Sequence, residues 1–357
     1  MARSNNLKDL ACRIRNYNGR PLKIMEVCGT HTAQNFKLGI RSLLPEGIRL
    51  ISGPGCPVCV TPVGYIDRAV ELSQIKKVIV CSFGDLLRVP GSKTSLYLER
   101  ARGADVRMVY SPLDALEIAV KNPDREIVFL SVGFETTVPA SCLTVRKAKE
   151  RGIKNFSALC SNKTMTRAYY LLKDCADAFL LPGHVSAITG MAVYQRLKAD
   201  GISGAVAGFT SADLLTALCA IIEKSASGEP FAVNCYPRVV ADEGNPAAMK
   251  LIGETMKECD AWWRGIGMIP GSGLMLGTDY EEYDARIKFS LGDDRGEENP
   301  GCRCGEVLKG TCEPPDCPFY AGKCTPENPL GACMVSSEGT CAAFYKYSGG
   351  NESARHS

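Results

Sequence analysis

Residues 22–32, Leu22-Lys-Ile-Met-Glu-Val-Cys-Gly-Thr-His-Thr32, run from a short apolar segment into a glycine-containing loop that opens a helix-length stretch. The same phrase returns down the chain to about residue 225, and that is the rhythm of β-α units. Expected strands are Leu22 to Val27, Ile48 to Ser52, Lys77 to Ser82 and Val106 to Tyr110, then Ile127 to Ser131, Phe156 to Cys160, Ala178 to Leu181 and Ala205 to Phe209. Their starts lie roughly 22 to 30 residues apart, a spacing that suits parallel strands joined by crossover helices. The reading is an α/β protein. Two related parallel-sheet α/β domains, 21–122 and 123–240, face a cleft, with one eight-stranded sheet as the alternative. A helix in 1–20 packs on another domain, and 241–357 forms a smaller Cys-rich domain. In that last region the expected helix runs from Asn245 to Trp262, followed by Gly265-Ile-Gly-Met-Ile-Pro-Gly-Ser-Gly273 and a charged segment, 292–300.

Composition narrows the function. Over 357 residues, 42 Lys+Arg against 39 Asp+Glu leave a net charge of +3, too little for a phosphate-binding footprint, so nucleic acid is not the expected partner. No apolar run approaches the roughly 18 residues that a membrane span needs, and the first twenty residues lack a signal-peptide core. A soluble, cytoplasmic chain is expected.

Cysteine is over-represented, with eighteen in all. In a long chain without a secretion signal, that number points to metal or redox chemistry rather than to disulfide staples. Seven of them (Cys302, Cys304, Cys312, Cys317, Cys324, Cys333, Cys341) fall in the last 60 residues. The spacing of Cys317, Cys324, Cys333 and Cys341 is C-x6-C-x8-C-x7-C, wider than zinc knuckles use, and favours an iron–sulfur cluster over structural zinc or free buried thiols. Cys302, Cys304 or Cys312 can replace one of the four. A tail so rich in Pro and Gly buries little on its own, and a metal centre supplies the missing folding free energy.

Loops leaving the carboxyl ends of parallel strands gather on one edge, where ligands bind. Cys28 sits at such a strand end; the following helix start favours its thiolate, and His31 stands ready to orient or deprotonate it. Plain packing of Cys28 and helix capping by His31 are the bland alternatives. In Gly53-Pro-Gly-Cys-Pro-Val-Cys59 the pair Cys56 and Cys59 can close a disulfide or share a metal. His184, one of three histidines, and Glu135 occupy matching loops of the second half; His184 suits an acid, base or hydrogen-bond donor role, with Glu135 as its carboxylate partner, and backbone satisfaction in the loops is the bland alternative. Glycine loops around Gly84, Gly91 and Gly271-Ser-Gly273 can cradle an anion, although turn geometry accounts for them as well. Trp262-Trp263-Arg264 reads as a packing corner or docking surface.

Taken together, Cys28-Gly-Thr-His-Thr32, Gly53-Pro-Gly-Cys-Pro-Val-Cys59, Phe83-Gly-Asp-Leu-Leu-Arg-Val-Pro-Gly-Ser92, Val132-Gly-Phe-Glu-Thr-Thr137, Leu181-Pro-Gly-His184 and Cys333-Met-Val-Ser-Ser-Glu-Gly-Thr-Cys341 closely resemble the HypD family of [NiFe] hydrogenase maturation factors. The resemblance spans about residues 20–347. It implies a scaffold for assembling the Fe(CN)2CO unit, working with a HypC-type small chaperone, a HypE-type cyanide donor and, through HypC, the hydrogenase large subunit. By the same resemblance Cys28 is the thiolate that binds the mononuclear iron, Cys56 and Cys59 are a redox pair and further iron ligands, and Cys317, Cys324, Cys333 and Cys341 hold a [4Fe–4S] cluster. A stand-alone iron–sulfur thiol-disulfide oxidoreductase, similar to ferredoxin-thioredoxin reductase, is the competing reading and needs no role for Cys28. A zinc-stabilised binding protein is a third.

Overall fold

The computed structural model describes residues 2–348. Eleven strands are arranged in two sheets: β1 (Leu22–Glu26), β2 (Ile48–Ser52), β3 (Val78–Ser82), β4 (Val106–Met108), β5 (Glu126–Gly133), β6 (Phe156–Lys163), β7 (Ala178–Pro182), β8 (Gly204–Ala207), β9 (Ala232–Asn234), β10 (Met256–Trp263) and β11 (Gly267–Leu276). All eight expected strands are present. One sheet has the order β2-β1-β7-β8-β9 and is parallel throughout. The other has the order β10-β11-β6-β5-β3-β4, parallel from β4 to β6, with β11 antiparallel to β6 and β10 antiparallel to β11. Every residue of β3 and β7 is buried, as strands covered by helices on both faces require.

The sheets cut across the division expected at residue 122. β1 and β2 pair with β7 to β9, while β3 and β4 join β5 and β6. The chain therefore crosses between layers after β2 and returns after β6. Equal crossover lengths carry no information on this point, because parallel strands of similar composition can neighbour either set. After Thr255 a further departure occurs. The helix runs only over Pro246–Thr255, and Met256–Trp263 is a strand that turns back into Gly267–Leu276. Gly265 and Gly267 supply the turn at φ +71° and +108°, a region that glycine enters without a Cβ penalty. Gly271-Ser-Gly273 thus belongs to β11 and is not an anion-cradling loop; the Gly271 N–H is already given to Asp260 Oδ1 at 2.9 Å.

The N-terminal helix, Ala2–Arg15, buries Leu10 and Ile14 in one cluster with Leu218 and Ile222 of helix Ser211–Ser225. A different cluster is shared by both sheets and the tail: Met25, Val27, Phe134, Trp263, Cys56, Cys59, Cys304 and Cys333 all belong to it. Seven-cysteine tail and strand-end loops are thus packed as one body.

Two local features hold the end of β1 in place. Glu26, fully buried, accepts from Asn35 Nδ2 and from the Arg41 guanidinium, with Thr32 Oγ1 at 3.3 Å. Glycine then permits backbone contact on both sides of Cys28. A Cβ on Gly55 would lie 2.1 Å from the Cys28 amide nitrogen, and one on Gly29 would lie 2.5 Å from the Glu338 carbonyl oxygen. Replacing Arg41 by Met removes the cation from a buried carboxylate and should destabilise the chain by about 2 to 4 kcal/mol, read as a lower urea midpoint. Gly29→Ala should raise hydrogen exchange across residues 333–347 while leaving β5 and β6 protected; equal protection in the tail would show that this close contact does not hold it.

Candidate metal centre and thiol site

Cys28 follows β1 and caps helix Gly29–Lys37 in an extended conformation. Its side chain is 1% exposed, and its Sγ lies 3.9 Å from His184 Nδ1, at the start of helix Gly183–Thr189 after β7. β1 and β7 are hydrogen-bonded neighbours, so adjacent strand ends deliver the thiol and the imidazole to the same point. The Phe209 ring packs against both histidines, stacked on His184 at 5.2 Å and tilted against His31 at 5.0 Å.

His31 does not turn its ring to the thiol. Its Nε2 lies 3.1 Å from the Gly208 carbonyl oxygen, which fixes the N–H there and leaves the buried Nδ1 without a partner. Burial, reinforced by His184, lowers its pKa to about 4, so the ring is neutral. His184 is the histidine beside Cys28. The expectation of a favoured thiolate is also corrected: burial pushes the Cys28 thiol up to about 12, and the helix-start N–H groups of His31 and Thr30 only partly offset this. A cation that displaces the thiol proton removes that penalty.

Glu135 is not a partner of His184. It is buried, accepts from the Met165 N–H at 3.0 Å through Oε1, and leaves Oε2 unpartnered. Burial raises its pKa to about 7. The carboxylate that serves the Cys28 loop is Glu338, from the tail: it accepts from Thr30 Oγ1 at 2.6 Å, and its charge opposes the burial that lowers the His184 pKa. Sequence reasoning passed over Glu338, although it lies inside the quoted Cys333–Cys341 motif.

The Gly-Pro-Gly loop lies directly against Cys28, with Gly29 N–H donating to Gly55 O at 3.2 Å. Cys56 and Cys59 are buried, and the Cys59 N–H points at Cys56 Sγ at 3.3 Å. Burial holds the Cys59 thiol far above its ordinary value, and its sulfur lies within hydrogen-bonding reach of both Cys56 and Cys333. Cys333 in turn faces Cys304, their sulfurs 2.9 Å apart.

All four expected tail cysteines, Cys317, Cys324, Cys333 and Cys341, line one cavity, and Cys302 and Cys304 line it with them. Among the described residues no group of three or more His, Cys, Asp or Glu side chains is arranged to hold a metal ion, and the space left between the sulfurs is about 10 Å³. Cys324 Sγ accepts from the Leu330 N–H at 3.3 Å and is close enough to feel the charges of Cys341 and Cys302. Cys312 stands apart from the cavity, its Sγ directed to the Glu313 carbonyl at 3.2 Å.

The Trp-Trp-Arg corner has a sharper role than packing. Trp263 packs on Phe134. Arg264 is buried, gives Nε–H to Thr61 O at 2.7 Å and a terminal N–H to Pro90 O at 3.0 Å, and forms no ion pair among the described residues. Burial lowers its pKa, and Cys304, Glu298, Cys333 and Cys302 act in the opposite direction.

Among the described residues no helix is long and apolar enough to cross a membrane. Comparison with known proteins agrees with the motifs. A family model for HypD, described as "Hydrogenase formation hypA family", matches residues 5–348. The chain is 45% identical over 334 residues to the hydrogenase maturation factor HypD of Escherichia coli (strain K12), covering 92% of this chain and 90% of that protein. It is 44% identical over 340 residues to HypD of Rhodobacter capsulatus and 42% identical over 340 residues to HypD of Azotobacter vinelandii, with the same coverage in both cases. By motif, by fold and by similarity over nearly its whole length, the chain belongs to the HypD family of hydrogenase maturation factors.

Proposed function

We propose that this chain is a cytoplasmic scaffold on which the Fe(CN)2CO unit of [NiFe] hydrogenase is built, together with a HypC-type chaperone and a HypE-type cyanide donor. The iron is its cargo. Cys28 offers one soft thiolate ligand, suited to low-spin Fe(II). Beside it His184 Nδ1 is placed to hold the thiol proton or to donate to the thiolate, and Phe209 fixes the imidazole plane. Cyanide on iron accepts hydrogen bonds, and the helix-start N–H groups of Thr30 and His31 beside the Cys28 sulfur are the donors at hand; the Thr30 hydroxyl proton is already given to Glu338.

The observation that carries the redox part is the contiguous row of thiols Cys56, Cys59, Cys333 and Cys304. When Cys56 and Cys59 are joined as a disulfide, attack by the Cys333 thiolate on Cys59 releases Cys56 as a thiol and forms a mixed disulfide. Attack by Cys304 on Cys333 then releases Cys59. The Cys56–Cys59 disulfide is reduced, the Cys304–Cys333 dithiol is oxidised, and electrons and protons balance within the chain. The dithiol so freed directly follows the Gly-Pro-Gly loop that packs on the Cys28 backbone, and it can join in holding the iron.

The cavity suits a [4Fe–4S] centre by its donor chemistry. It is lined by soft sulfur donors, one of which already receives an N–H bond, and Arg264 offers a buried positive charge that makes no direct ion pair among the described residues, Glu298 acting on it only from a distance. Cys333 lies within reach of Cys59, Cys304 and Cys341, and Cys304 within reach of Cys302 and Cys333; reserving Cys304 and Cys333, the pair in line with Cys59, for exchange leaves Cys302, Cys317, Cys324 and Cys341 as the ligand set we favour, with Cys302 in place of Cys333. Such a centre supplies electrons one at a time.

Two measurements test this reading. Cys302→Ser should abolish the brown iron–sulfur absorption of anaerobically purified protein, whereas Cys333→Ser should retain it and lose maturation activity; the opposite pattern returns Cys333 to the ligand set. In the complex with the small chaperone, Cys28→Ala should remove the cyanide and carbonyl infrared bands, and Cys56→Ala with Cys59→Ala should stop hydrogenase maturation with the cluster absorption intact. Unchanged infrared bands in Cys28→Ala would take Cys28 off the iron, and full maturation without the dithiol would eliminate the exchange pathway.

A further inference from the structure

A second cavity, of about 530 Å³, opens between helix Met165–Leu172, helix Ala192–Ala199, helix Pro246–Thr255 and β11. Its volume lies within the roughly 300 to 1,000 Å³ of small-molecule sites and greatly exceeds what a bare anion needs. The floor is Glu135, 5% exposed, with its Oε2 unpartnered although buried. A buried polar atom without a partner is costly to keep desolvated, which makes it a marker for a missing donor. At the exposed rim stand Arg167 and Arg196, neither of which forms an ion pair or a side-chain hydrogen bond among the described residues. Of the other rim groups, Tyr170 Oη donates to Asp200 Oδ2 at 2.7 Å, and Glu258, which shares the neighbourhood of Gly271 with Arg167, makes no ion pair with either arginine. Between rim and floor the wall is apolar, formed in part by Ile252 and Leu274.

We propose that this cavity binds a small organic oxyanion, a phosphate ester or a carboxylate, with its charged end between Arg167 and Arg196, an apolar body against Ile252 and Leu274, and a hydrogen-bond donor given to Glu135. Guanidinium forks match phosphate and carboxylate oxygens alike. The carboxyl of Glu135 accepts most strongly when ionised, above about pH 7, so the donor end binds more tightly there. The proposal stands apart from iron assembly, because neither Cys28, His184 nor any tail cysteine lines this cavity.

The test is thermal unfolding of the full chain at pH 8 and low salt with AMP, glucose 6-phosphate, hippurate or inorganic phosphate, each at the same ionic strength. At least one organic oxyanion should raise Tm by about 2 °C or more, through preferential binding to the folded state, and inorganic phosphate should not. AMP and glucose 6-phosphate against hippurate distinguish a phosphate from a carboxylate ligand. Arg167→Ala combined with Arg196→Ala, both exposed positions, should abolish the shift with an unchanged circular dichroism spectrum, and Glu135→Gln should weaken binding of the same ligand about tenfold by calorimetry. No shift with any organic oxyanion, a shift that survives loss of both arginines, or an equal shift with inorganic phosphate would overturn the proposal.

Discussion

The arrangement of sulfur in this protein depends on backbone meeting backbone at two glycines. Gly55 presses on the Cys28 amide and Gly29 on the Glu338 carbonyl, at separations that leave no space for a Cβ. Three segments far apart in the chain, the end of β1, the Gly-Pro-Gly loop and the cysteine-rich tail, are thereby stacked in van der Waals contact. A side chain at either position would wedge the stack apart by roughly the width of a methyl group, and sulfur chemistry by direct exchange does not operate across added distance. Glu26 and its partners Asn35 and Arg41 reinforce the stack from below by fixing where β1 ends.

Burial sets the electrostatics of the site. Cys28, Cys59 and His31 are each driven toward their neutral forms, so these groups add little charge to the region. The charge present is contributed from outside: Glu338 at the Cys28 loop and Arg264 among the tail sulfurs. A buried guanidinium held by two carbonyls, with thiols for neighbours, stabilises negative charge on those sulfurs, and a carboxylate at Thr30 stabilises positive charge near His184. Cys28 and the tail sulfurs are thus biased in opposite directions.

Much of this was legible in residue patterns. All eight strands expected from the apolar-run, glycine-loop, helix phrase exist, and the strand-end rule brought Cys28 and His184 to one edge before any coordinates. What failed did so for identifiable reasons. The hairpin β10–β11 was hidden because Asn245 and Pro246 are strong helix-start signals, while the strand that follows is only partly buried and shows no clear alternation. His31 was favoured over His184 as the neighbour of Cys28 because it is close in sequence; its ring, however, is tied to the Gly208 carbonyl of a neighbouring strand end, 3.1 Å from Nε2. Glu135 was paired with His184 by loop analogy, but the two loops leave different sheets.

Local chemistry, then, is what the amino-acid order determines by itself: short-range patterning dictates β-α units, glycine places tight turns at strand ends, and cysteine density marks a soft-donor centre, since each follows from neighbours within a few residues. Sheet membership, the choice of His184 and Glu338 at Cys28, and the gathering of Cys302, Cys304, Cys317, Cys324, Cys333 and Cys341 around one cavity were decided only by tertiary structure. These depend on which crossover helices pack together and on backbone approaches across hundreds of residues, quantities to which no local pattern is sensitive.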